Sequence, residues 1–326
     1  MKKRFSIILR VLVSAGLLAF LVFSMRDNLP HIVGALSETS VPLFALAACS
    51  FVFLVGIMSL RLDILLKGEG LEIPFMRITQ LTFIGYFFNN FMPTAVGGDI
   101  VKAYYANRHT GRMTESFIAV FMDRFLGLFS FVLLACLALA LSWRGIDPGL
   151  RKAVLLFGFL GAVMLFAILN SACAKLIFGG FSRIRLWGIG AKLARIYREV
   201  HSYRAKKRVV LAALGVSCVS QSVFFIIVFI LAKSLDMSLS IVTVFTVMPI
   251  VCVVSMLPSL GGLGLREGAM VALLGPAIGK DNAFSVSILL LAVLLIISVI
   301  GAVIYLSAAQ FRISPEKLAE FDSRAA

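Results

Sequence analysis

The sequence predicts an all-α integral membrane protein, a polytopic helical bundle of two pseudo-symmetric inverted halves, each with a Pro/Gly-broken or re-entrant helix. Three observations lead there. Apolar residues fill 60% of the 326 positions and charged residues only 14%, against about a quarter in soluble domains. Apolar runs recur along the whole chain, most of them near the roughly 20 residues that a crossing helix needs. Two glycine-rich segments, one in each half, carry the same order of proline, paired glycine and cation.

Taken in order, the apolar runs place spans near 5–24, 43–60, 76–92, 115–142, 153–172, 209–232, 240–257 and 284–309. The first follows Lys2, Lys3 and Arg4 like a signal peptide, but it has no clear small-residue cleavage site and reads as a retained span. Two shorter segments, about 94–107 and 259–275, are less apolar. One transmembrane domain is expected over 1–326. Half 1 covers about 1–150 and half 2 about 151–312, and a short tail follows at 313–326. The five cysteines show no paired spacing, so neither a disulfide framework nor a zinc site is indicated.

Lysine and arginine counts orient the chain. Lys2, Lys3, Arg4 and Arg10 precede or begin the first span; 61–77 carries Arg61, Lys67 and Arg77; 102–114 carries Lys102, Arg108 and Arg112; 173–208 carries ten cations. By contrast, 25–41 has only Arg26 and 233–239 only Lys233. The positive-inside rule then puts both termini on the cytoplasmic side, and it accounts for the net charge of +15 without nucleic acid. Arg144, Arg151 and Lys152 run against it. The bookkeeping closes if each half crosses an odd number of times, which gives the halves opposite topologies. Within 173–208, Ile189, Leu193, Ile196 and Val200 recur at helical spacing beside Lys192, Arg195 and Arg198. That pattern is expected to lie on the anionic cytoplasmic leaflet as an interfacial helix; the plainer alternative is a solvated basic loop.

The glycine-rich segments hold the candidate site. The first runs from Asn89 and Asn90 through Met92-Pro93 to Gly97-Gly98-Asp99 and Lys102; the second runs from Leu257-Pro258 to Gly261-Gly262 and Arg266-Glu267. From the glycine pair to the cation the spacing is the same, and the prolines stand 165 positions apart, half the chain. Proline breaks a helix by removing a donor, and paired glycines permit close backbone approach. Such interruptions at matching places in two halves point to a transporter's midplane site, where the amides at a half-helix start attract an anion. The alternative is that Pro93 and Pro258 only kink helices and the glycines only pack.

Ionisable groups within spans cost roughly 2.5–3.5 kcal/mol each on insertion scales. Lys102, Arg124 and Arg266 are therefore candidates to bind a lipid phosphate, with Gly97, Gly98, Gly261 and Gly262 supplying amides and Asn89 and Asn90 donating to a headgroup or capping the broken helix. Asp99, Asp123 and Glu267 would hold those cations or carry protons. Asp99 and Lys102, three apart, share a helix face; Arg266 and Glu267, being adjacent, are expected to point apart. The alternative is a set of salt bridges that only fasten helices.

These same segments, with Asp123-Arg124-Phe125-Leu126-Gly127, resemble the lysylphosphatidylglycerol synthase transmembrane region, a flippase-like family, over nearly the whole chain. The Pro…Gly-Gly-x-Gly-x-Arg-Glu-Gly run is the most specific part. The resemblance implies lipid translocation between leaflets; aminoacylation belongs to a soluble domain fused to some members, and no such domain is expected here. In place of the family's Gly-Glu…Arg form this chain has Asp99 and Lys102, which keeps the charge signs and replaces a two-pronged guanidinium by a point charge.

His31, His109 and His201 are expected in loops without metal-ligand spacing, and no phosphate-cradling or nucleophile-elbow motif is present. No catalytic residue, cofactor or metal is therefore expected. The leading expectation is a flippase or scramblase for a phospholipid or a polyprenyl-phosphate carrier. The alternatives are an integral membrane lipid-modifying transferase, or an accessory subunit of one. Expected partners are membrane lipids with an anionic headgroup, and a second copy of the chain or a lipid-synthesis enzyme; nucleic acid is not among them.

Overall fold

Long apolar runs become long helices because a bilayer offers no water to unpaired backbone groups, which the α-helix satisfies within itself. The computed structural model describes residues 34, 36–91, 97–141, 148–169, 206–257 and 262–307. The expected span 5–24, the basic stretch 173–208 up to residue 205, the tail, and Pro93, Pro258 and Gly261 lie outside the described residues. Nine helices are named here: α1 Val41–Gly68, α2 Phe75–Phe91, α3 Gly97–Thr110, α4 Met113–Leu141, α5 Pro148–Leu169, α6 Lys207–Ser234, α7 Ile241–Val254, α8 Leu265–Ile278 and α9 Lys280–Ser307. Among the described residues there is no strand. The chain is an all-α, multi-pass membrane protein.

Among the described residues four helices, α1, α4, α6 and α9, are long and apolar enough to cross a membrane. At 28 or 29 residues and 1.5 Å per residue each reaches about 42 Å, beyond the roughly 30 Å of hydrocarbon. The 17 residues of α2 reach about 26 Å, and the 14 residues each of α3, α7 and α8 about 21 Å. In the first half α1–α4 run long, short, short, long, and in the second α6–α9 run in the same order, with α5 outside the pattern.

The two halves also pack alike. α1 lies on α6, which opens the matching run of the other half. α2 packs on α9 as α7 packs on α4, and within the halves α1–α2, α2–α3 and α3–α4 match α6–α7, α7–α8 and α8–α9. The buried core runs between the halves, with Phe51, Phe225, Val251 and Leu290 from α1, α6, α7 and α9 all essentially without solvent contact.

Two placements differ from expectation. α1 continues to Gly68, where the sequence reading ended its span at 60, because Arg61 and Asp63 are carried inside the bundle rather than in a loop. His109, expected in a loop, lies in the last turn of α3 and its Nδ1 is 2.9 Å from Arg77 Nη1.

A charged cavity between the two halves

The start of α3 is built by a close crossing. Gly98 faces Gly85 of α2 so closely that a β-carbon on Gly98 would run into the Gly85 carbonyl. This contact needs glycine for space. Asn89, also on α2, accepts the Gly98 N–H at 2.8 Å through Oδ1 and so satisfies an amide that the first turn leaves without an intrahelical partner. Asp99 follows in that first turn, where a carboxylate is favoured by the helix dipole.

α8 starts differently. Gly262 and Gly264 both hold φ near +81°, a left-handed backbone that a side chain would strain. The Gly264 N–H donates to Glu267 Oε2 at 2.6 Å, the carboxylate half of a capping box. The other oxygen of Glu267 accepts from Arg266 Nη2 at 2.5 Å and Nε at 3.1 Å. The expectation that these neighbours point apart is therefore corrected. Folding Glu267 back onto the helix start brings its carboxylate beside its own neighbour's long guanidinium. Glu267 is fully buried and Arg266 nearly so.

Both helix starts open on one cavity of about 260 Å³. Of the predicted residues, Asn89, Asp99, Lys102, Asp123, Arg124 and Arg266 line it. Gly97, Gly98 and Glu267 are buried just behind, and Gly262 packs against the backbone of Ser255, which does line it. Asn90 is directed elsewhere: its Nδ2 donates to Ser298 Oγ at 2.5 Å on α9, so it fastens helices. The expectation of open amides at the two breaks is also corrected at Gly98 and Gly264, whose N–H groups are already taken by Asn89 and Glu267.

Asp99 is the shared acid of the first half. Arg124 Nε and Nη2 meet its Oδ2 at 2.7 and 2.6 Å, and Lys102 Nζ stands 3.9 Å from its Oδ1. Asp123 turns the other way and accepts from Arg61 Nε at 2.5 Å; Arg61 Nη1 also donates to Ser217 Oγ of α6 at 3.3 Å. This pair ties α1, α4 and α6 together at the cavity wall. Arg61 was missed as a site residue. Its place in 61–77 makes it, like Lys102 in 102–114, one of the cations that set orientation, yet both are buried. The signal was present in the sequence, since Arg61 falls between Leu60 and Leu62 in a run that stays apolar on both sides.

The rest of the lining is mostly apolar, with Phe51, Leu128, Phe131, Phe224 and Val251 beside Met248, while Gln221 adds a neutral amide. Four cations and two carboxylates share the lining of a small cavity with aromatic and aliphatic groups, a mixed lining suited to an anion with an apolar tail. Among the described residues no three of His, Cys, Asp and Glu converge as they would on a metal ion.

Relatives of the chain carry little functional description. It is 27% and 22% identical, each over 286 residues, to two UPF0104 membrane proteins of Methanothermobacter thermautotrophicus, which align over about four fifths of both partners: 79% and 80% of this chain, 80% and 83% of theirs. It is 23% identical over 195 residues to a UPF0104 membrane protein of Pyrococcus horikoshii, covering 58% of this chain and 55%, about half, of that protein. The family described as the lysylphosphatidylglycerol synthase TM region matches residues 7–304, and the chain belongs to that family.

Proposed function

We propose that this chain binds a phosphate-bearing lipid, a phospholipid or a polyprenyl-phosphate carrier, in the cavity between its halves and moves it between the leaflets of a prokaryotic inner membrane. The observation that carries the proposal is the cavity itself: Lys102 and Arg124 of one half and Arg266 of the other line one space that also has apolar lining. A volume of about 260 Å³ is below the roughly 300–1,000 Å³ of sites that enclose a whole drug-sized ligand, so a headgroup enters and the tails stay in lipid. The corresponding helix lengths and packing of the halves support an inverted repeat, with both termini cytoplasmic, and alternating access by rocking one half against the other. Arg61, Asp99, Asp123 and Glu267 hold the cations in place.

The test is reconstitution. Purified protein in liposomes accelerates leaflet exchange of a fluorescent phospholipid, and Lys102→Ala or Arg266→Ala slows it by about tenfold or more, since a charge-assisted hydrogen bond contributes about 1.5–3 kcal/mol. Exchange at the wild-type rate in both variants, with folding intact, overturns the proposed roles. Recovery of a chemically converted lipid would favour a transferase instead.

A further inference from the structure

The ion pairs around the cavity leave a remainder. Among the described residues, the charged side chains that line it or touch those that do are Arg61, Lys102, Arg124 and Arg266 against Asp99, Asp123 and Glu267. Four cations meet three carboxylates, so one positive charge is in excess. The pairing shows which one. Arg61 closes on Asp123 at 2.5 Å, Arg266 on Glu267 at 2.5 Å, and Arg124 holds Asp99 through two nitrogens. Lys102 has only the far oxygen of that same Asp99, at 3.9 Å, beyond hydrogen-bonding reach, and its side chain is 8% exposed. A buried ammonium without a close counter-charge is costly, and one negative charge from an occupant removes that cost. Two negative charges would leave the site with an uncompensated anion instead.

Resting on the translocation reading above, we propose that the occupant is a singly charged phosphodiester lipid whose phosphate seats against Lys102, and that the site discriminates against doubly charged phosphate monoesters. A diester keeps one charge at any physiological pH. A monoester gains its second charge near about pH 6. The lysine, unlike an arginine, offers a compact point charge with no fork, in keeping with one negative charge shared by two non-bridging oxygens rather than two charges on a terminal phosphate with three.

The test uses wild-type proteoliposomes that exchange fluorescent phosphatidylglycerol, with unlabelled lipids as competitors at about pH 5 and about pH 9, on either side of the monoester's second ionisation. Phosphatidylglycerol competes equally at both and serves as the reference. Phosphatidic acid competes comparably at the lower pH and about tenfold less well at the higher; equal or better competition at the higher pH overturns the charge assignment while leaving translocation standing. Absence of any accelerated exchange overturns both. Dimethyl phosphate, which has the diester but no tails, competes about tenfold less well than the lipid, and parity would overturn the lipid assignment. Asp99→Asn adds one net positive charge to the site with little change of shape. It shifts the preference toward phosphatidic acid at the higher pH by about tenfold, and an unchanged preference in folded protein overturns the proposal.

Discussion

The two helix breaks start from nearly the same residues and end in different arrangements. In the second half one side chain does everything: Glu267 caps its own helix start and neutralises its own neighbour, so the charge chemistry of the break is closed within a single turn. In the first half the same tasks are spread over three helices. Asn89 on α2 does the capping, Asp99 on α3 supplies the carboxylate, and the cation it holds most closely, Arg124, belongs to α4. The self-contained break can move as a unit without losing its pairs. The distributed break loses a partner whenever α2, α3 or α4 shifts against its neighbours, and it is the one that leaves a cation loosely held.

The largest effect that bears on this contrast is at Glu267. Glu267→Ala removes both the cap and the counter-charge of a buried guanidinium, and orphaning one member of a buried pair costs about 3–5 kcal/mol. Thermal unfolding in detergent should show a greater loss for Glu267→Ala than for Asp99→Ala, because Arg124 is partly exposed whereas Arg266 is buried. A smaller loss at Glu267 would break the comparison. Next comes Gly98→Ala. The added methyl meets the Gly85 carbonyl, and forcing the helices apart costs about 1–3 kcal/mol, the range for an overpacked contact. Gly262→Ala meets strain from its positive φ and crowding against Ser255, so its penalty stays at the start of α8 and leaves the α2–α3 crossing unchanged. Cross-linking between cysteines placed on α2 and α3 separates the two.

Much of this was legible beforehand, for physical reasons that differ by residue. The described spans are readable because a bilayer enforces long apolar helices, and the starts of α3 and α8 because glycines mark them. The convergence of Lys102, Arg124 and Arg266 followed from the cost of burying charge without a purpose. What the sequence did not carry was pairing. Asp123 and Arg124 are adjacent, yet they serve different partners 62 and 25 positions away, Arg61 and Asp99. Arg266 and Glu267 are adjacent and serve each other. Nothing in local spacing separates these cases, because the outcome depends on which neighbouring helix lies within reach of each side chain. Arg61 escaped for a related reason. A cation near the end of an apolar run reads as a loop residue until a carboxylate on another helix is seen to receive it.

The smallest effect gives the sharpest view of the contrast. Asn89→Ala removes the acceptor for the Gly98 N–H and should cost about 1 kcal/mol, the usual range for a lost N-cap, read as a modest fall in Tm. Because Asn89 sits on α2 rather than on α3, its loss also loosens the tie between those helices, so hydrogen exchange should rise at the first turn of α3 while the first turn of α8 is unaffected. Glu267→Gln is the matched change in the second half: the amide oxygen can still accept from the Gly264 N–H, so protection there should persist even as the charge is lost. Equal loosening of both helix starts in either variant would mean that the two breaks are coupled through the cavity, and the division into a self-contained half and a distributed half would not hold.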